Sequence, residues 1–286
     1  MKLTGRRRSS NVEDRRASGG GRMTKMGLGG LLVAGLITWL LGGNPLSVLQ
    51  NADLGAMMGG EQTEYVPTER EEQLAEFASQ ILAGTEDVWS ALFEEMGRTY
   101  QPPRMVIFKN AVQSGCGGAT SSTGPFYCSA DQTVYIDLSF FDQMESQLRA
   151  GGDFAYAYVI AHEVGHHVQY LLGILEQVQH QRSRVSEKEA NRLTVRLELQ
   201  ADFFAGIWAH YDDKRFGSLE DGDIEEGLNA ATSIGDDRLQ MEAQGYTVPD
   251  SFTHGTSKQR MSWLKKGYLT GDLSRGDLFS IDYDDL

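Results

Sequence analysis

The stretch Ala161-His162-Glu163-Val164-Gly165-His166-His167 sits inside apolar, helix-periodic sequence running from Ala155 to Leu175. His162 and His166 are four positions apart, so on a helix they share one face. Both imidazoles can then reach a single ion at about 2.0–2.1 Å. Glu163 lies one position round the helix, beside the ion rather than on it. There a carboxylate can take a proton from an activated water and pass it to a departing amine. Chance supplies this spacing in about one such chain in a hundred, so the downstream sequence has to complete the site.

A zinc ion used in catalysis wants three protein ligands and one open position. The segment Glu198-Leu199-Gln200-Ala201-Asp202 offers the third. Ser186 with Glu189 reads as a capping box that opens a helix reaching about His210. Glu198 and Asp202 share a face of it. Glu198 is expected to be the third ligand, and Asp202 to accept the second N–H of a zinc-bound imidazole, fixing its tautomer. The apolar neighbours Leu197, Ala201, Phe204, Ala205 and Trp208 argue against two solvated surface acids.

The remaining histidines separate by context. His167 follows the motif at the wrong angle for the same ion and reads as a packing or supporting residue. His180 and His210 read as surface residues. His254 lies in Phe252-Thr253-His254-Gly255-Thr256-Ser257, a loop leading into a helix over Arg260–Leu264. A loop histidine with Arg260 nearby is suited to bind the oxyanion of an acyl-transfer intermediate.

At 286 residues, 40% hydrophobic and 23% charged, the chain is too apolar for wholesale disorder and too polar for a multi-span membrane protein. Its net charge of −14 argues against nucleic acid as a partner. The charge is unevenly spread. Residues 1–25 carry eight basic and two acidic side chains, a net +6, which leaves −20 for the rest. Between these regimes, Met26–Leu41 has Thr38 as its only conventional polar side chain, and Gly42 and Gly43 extend it to 18 uncharged residues. As a helix that run would be about 27 Å long, the short end of a bilayer span. The expected organisation is a basic cytoplasmic tail (1–25), a single transmembrane anchor (26–43), a linker (44–68) and a domain outside the cytoplasm, periplasmic or extracellular (69–286).

That domain reads as α+β, mainly helical with a small sheet. Arg70–Gly97 suggests two helices broken near Gly84, whereas Met105–Phe108 and Thr133–Leu138 read as strands. The strand around Val134–Leu138 precedes the His162 helix and is expected to pair with an extended substrate. Cys116 and Cys128, the only cysteines, flank a Gly/Ser/Thr-rich loop. Two cysteines cannot make a zinc ribbon, and outside the cytoplasm they are expected to form a loop-closing disulfide.

The chain resembles the bacterial family of neutral zinc metallopeptidases with one N-terminal membrane anchor. The likeness runs from Gly5-Arg6-Arg7-Arg8-Ser9-Ser10-Asn11-Val12-Glu13-Asp14-Arg15-Arg16 to His254–Trp263. It passes through Gly115-Cys116-Gly117, Gly124-Pro125-Phe126-Tyr127-Cys128, Glu198-Leu199-Gln200-Ala201-Asp202 and Ile234-Gly235-Asp236-Asp237-Arg238-Leu239-Gln240. The resemblance implies a gluzincin-like site, with His162, His166 and Glu198 on one zinc ion per chain and Glu163 as the catalytic carboxylate. It also implies His254 and Arg260 as transition-state contacts. The expected function is membrane-anchored zinc endopeptidase acting on polypeptides. The alternative is a zinc-bound envelope scaffold with little or no turnover, and the presence of Glu163 tilts against it, because structural zinc does not need a general base.

Overall fold

The computed structural model describes residues 1–18 and 65–286. The run at 26–43 lies outside them. Among the described residues, no helix is long and apolar enough to cross a membrane.

Residues 65–286 open with α1 (Glu69–Glu95), started by a reciprocal capping box between Thr68 and Glu71. The expected break near Gly84 is absent, and α1 is continuous. Gly84 instead makes room for a neighbour: a Cβ there would lie 2.8 Å from an Arg6 guanidinium nitrogen. Glycine within a helix can mark a close approach as well as an end.

Four strands form the main sheet in the order β1-β2-β6-β5. They are β1 (Val12–Asp14), β2 (Arg104–Phe108), β5 (Phe126–Cys128) and β6 (Thr133–Asp137). β1, β2 and β6 run parallel, and β5 is antiparallel to β6. The sheet is thus mixed and small, in keeping with the α+β reading. β6 is flanked by β2 and β5, so its backbone is already paired and cannot pair with a substrate as expected. Among the described residues, the sheet edge nearest the His162 helix is β5. β3 (Ala111–Ser114) and β4 (Gly117–Thr120) make a separate hairpin, tied to β5 by the Cys116–Cys128 disulfide.

The sequence after the sheet is helical: α2 (Ser139–Ser146), α3 (Asp153–Leu171), α4 (Ile174–Arg182), α5 (Glu187–Phe216), α6 (Asp223–Ser233), α7 (Asp236–Gln244) and α8 (Ser257–Thr270). Ser186 caps α5 by accepting from the Glu189 N–H, and Gly217 ends it in the left-handed region. α3 and α5 form the centre of the core, with α8 packed along α5 and α6 against α3. The α5–α8 contact is backbone to backbone. A Cβ on Gly206 would fall 2.2 Å from the Leu264 carbonyl, and one on Gly267 would fall 2.2 Å from that of Phe203.

The first 18 residues are not a detached tail. β1 is a strand of the domain's own sheet, and Arg16 and Ser9 are buried. The expected boundary between a separate tail and the domain does not describe residues 1–18. A short segment whose charges are met by distant carboxylates looks, in sequence, the same as a free basic tail.

Candidate metal centre

α3 and α5 bring the three expected ligands together. His162 and His166 share one face of α3, and Glu198 faces them from α5. One donor atom from each lies within 4.8 Å of the others. His162 Nε2 is 3.2 Å from Glu198 Oε2, and His166 Nε2 is 3.5 Å from Glu198 Oε1. Donors around an ion bound tetrahedrally at about 2.1 Å sit about 3.4 Å apart, so the cluster has the dimensions of a zinc site. Gly165 permits this approach of the two helices, since a Cβ there would stand 3.0 Å from the Ala201 carbonyl.

Both imidazoles are held through Nδ1, which leaves Nε2 for an ion. His162 Nδ1 donates to Asp202 Oδ1 at 2.8 Å. His166 Nδ1 donates to Gln169 Oε1 at 2.9 Å, and the Gln169 amide in turn donates to the Leu197 carbonyl and to Gln200. Partners of this kind fix tautomer and ring orientation. Asp202, the acceptor, is fully buried.

Burial disfavours a charged His162, yet Asp202 and Glu198 raise its pKa to about 10. Glu198 is likewise opposed by burial, but His166 and His162 hold it well below the usual carboxylate range. Such a cluster favours positive charge between its carboxylates, which a divalent cation supplies with both rings neutral. Burial pushes the pKa of Glu163 up, with His162, His166 and the Tyr127 backbone amide on β5 pulling against it.

Arg260 is placed differently from its expected role. It is buried, and it donates to Asp202 Oδ2 through Nε and to Oδ1 through Nη2, both at 2.9 Å. Nη2 is also 3.2 Å from the Tyr158 hydroxyl, which donates to Asp202 Oδ1 at 2.6 Å. Its charge is committed behind His162, so it positions Asp202 instead of contacting a reacting group. His254 stays at the rim with its side chain 52% exposed, and Glu198 is near enough to help raise its pKa. Its Nδ1 is 3.2 Å from Asp236 Oδ1, while Asp236 Oδ2 accepts the backbone N–H groups of Thr253, His254 and Gly255.

His167 points elsewhere, as its position on the helix implied. It is fully buried, accepting from the Tyr127 hydroxyl and donating to the Gln101 carbonyl. Sequence reasoning passed over Tyr158, Gln169 and Asp236 as site residues. Tyr158 and Gln169 carry a detectable signal: they lie four before His162 and three after His166, on the ligand face of the same helix. Asp236 carries none, because its partners are reached through a loop.

A family model described as "putative neutral zinc metallopeptidase" matches residues 1–279. The Escherichia coli (strain K12) protein YpfJ, uncharacterized, is 50% identical over 98% of this chain and 99% of its own length. The uncharacterized Mycobacterium bovis protein Mb2605 is 44% identical over 63% of this chain and 64% of its own. No solved structure matches the chain. The match over nearly the whole length, together with the assembled ligand set, places the chain in the neutral zinc metallopeptidase family.

Proposed function

We propose that the protein is a zinc-dependent endopeptidase binding one zinc ion per chain through His162, His166 and Glu198. The observation that carries this is the convergence of the three donors beside a buried carboxylate, Glu163, that is not itself a ligand. When bound, zinc polarises the scissile carbonyl and brings the pKa of its water towards about 7. Glu163, with its pKa raised by burial, accepts the proton of the attacking water and returns it to the leaving amine. His254, steadied by Asp236, presents its free Nε2 to the oxyanion. Arg260 and Tyr158 hold Asp202, and Asp202 holds His162. An extended polypeptide aligns along the edge strand β5, whose Tyr127 amide borders Glu163.

Glu163→Gln tests the reading in the full chain, with an unfolded protein as substrate. Zinc content should remain at the parental level while cleavage falls by about 10²–10⁴-fold. Cleavage at the parental rate would remove Glu163 as the base. Zinc retention with no turnover by the parent on any unfolded substrate would favour the scaffold reading.

A further inference from the structure

The apolar run at 26–43 and the basic residues before it suggested that residues 1–25 lie on one side of a membrane and the domain on the other. The contacts of residues 1–18 point to a different arrangement. β1 pairs with β2 in register, Val12 with Met105, Glu13 with Val106 and Asp14 with Ile107. The ladder continues beyond the strand: the Met105 N–H donates to the Asn11 carbonyl at 2.9 Å, and the Arg15 N–H to that of Ile107 at 2.7 Å.

The side chains interlock as well. Glu86 is buried in the middle of α1. Among the described residues, its polar partners all come from the N-terminal segment: the Ser9 hydroxyl at 2.6 Å, the Asn11 amide at 2.7 Å and Arg7 at 2.9 Å. Removing that segment would leave a buried carboxylate without a partner, a costly state. Arg6 grips buried Asp212 through two nitrogens and occupies the space that Gly84 leaves open. Arg8 meets Glu76, and buried Arg16 meets Asp14 and Glu72. These arginines are structural partners of the domain's acids. Their count therefore carries no independent message about which side of a membrane they occupy.

We infer that residues 1–18 and residues 65–286 share one compartment, and that the connection between them leaves and returns on one face of the domain. Both ends of that connection lie at the start of α1. Arg16 donates to the Glu71 carbonyl and to Glu72, while Lys109 covers the Tyr65 ring and pairs with Glu71. A bilayer core about 30 Å thick cannot stand between groups joined by hydrogen bonds of this length. A bilayer therefore does not separate residues 1–18 from residues 65–286. The inference is independent of the proposed hydrolysis.

The test uses the full chain in bacterial spheroplasts with single substitutions Thr4→Cys and Lys258→Cys, both at exposed positions. A membrane-impermeant maleimide is applied before and after lysis, with the native cysteine pair left intact. The two introduced thiols should behave alike, both reacting before lysis or both only after it. One reacting before lysis and the other only after it would overturn the inference. Ser10→Cys, also exposed, replaces Thr4→Cys if that thiol fails to react even in the lysate.

Discussion

Arg260 holds Asp202 by both carboxylate oxygens, while one of those oxygens also receives His162. A candidate ligand on α3 is therefore oriented by an acid on α5, which is itself oriented by a base on α8. Arg260→Lys keeps the charge but cannot keep both oxygens in the same planar grip. Zinc affinity should fall by about 10–100-fold, as is usual when the partner of a metal-binding histidine is disturbed. Competition with a chromophoric chelator measures it. Unchanged affinity would show that His162 does not depend on this chain of contacts.

His254 is expected to act on the reaction and not on metal binding. His254→Ala should lower kcat by about 10²–10³-fold with little change in KM or zinc content. Partial desolvation at the rim opposes its protonation, but Asp236 and Glu198 raise its pKa above the ordinary histidine value. The charged donor is thus present on the acid side and lost as pH rises through the raised value. A kcat profile should show an alkaline limb in the parent that disappears in His254→Ala.

His167 makes a prediction about acid stability. Burial lowers its pKa to about 4, against 6.5 when unfolded. The unfolded chain therefore takes up the proton first. The neutral ring's contribution is complete above about pH 6.5 and is lost as pH falls towards 4, by up to about 3 kcal/mol. Urea unfolding of the metal-free chain at pH 7 and pH 4.5 should show a smaller acid loss in His167→Phe than in the parent. An equal loss would assign the acid sensitivity to other groups.

The disulfide joins the β3–β4 hairpin to the strand that borders Glu163. Cys116 is exposed and Cys128 buried, so a reductant reaches the bond from the hairpin side. Replacing both by Ser should cost about 2–4 kcal/mol of stability. Because Tyr127 precedes Cys128, peptide cleavage should weaken by more than zinc binding does. Parallel zinc titration and peptidase assay separate the two.

Local periodicity was enough to find His162, Glu163 and His166, because spacing along one helix fixes which side chains share a face. Glu198 and Asp202 were legible for the same reason, and the strands at Met105–Phe108 and near Thr133 from their β-branched residues. What local periodicity could not carry was pairing at a distance. Arg260 was recognised as part of the site, but nothing in the sequence near it reveals that Asp202 takes up its charge. The edge position of β5 depends on strand order, which three residues do not disclose. The arginines of the first 18 residues read in sequence as a topology signal alone, since their partners Asp212 and Glu86 lie far along the chain. Gly84 misled in the same way, its purpose residing in Arg6.

The same long-range grip sets the order in which the molecule can be finished. Arg6 waits for Asp212, and the Lys2 N–H waits for the Ser218 carbonyl, so the first part of the chain to be synthesised is among the last to find its place. Contacts of such large sequence separation are slow to form. We expect newly made chains to pass through a stage in which β2 and the buried Glu86 lack their N-terminal partners. Pulse-labelled hydrogen exchange would reveal it as late protection of the Met105 amide relative to those of α3. Maturation of the protein would then be timed by residues 1–18 closing over partners that lie two hundred positions away.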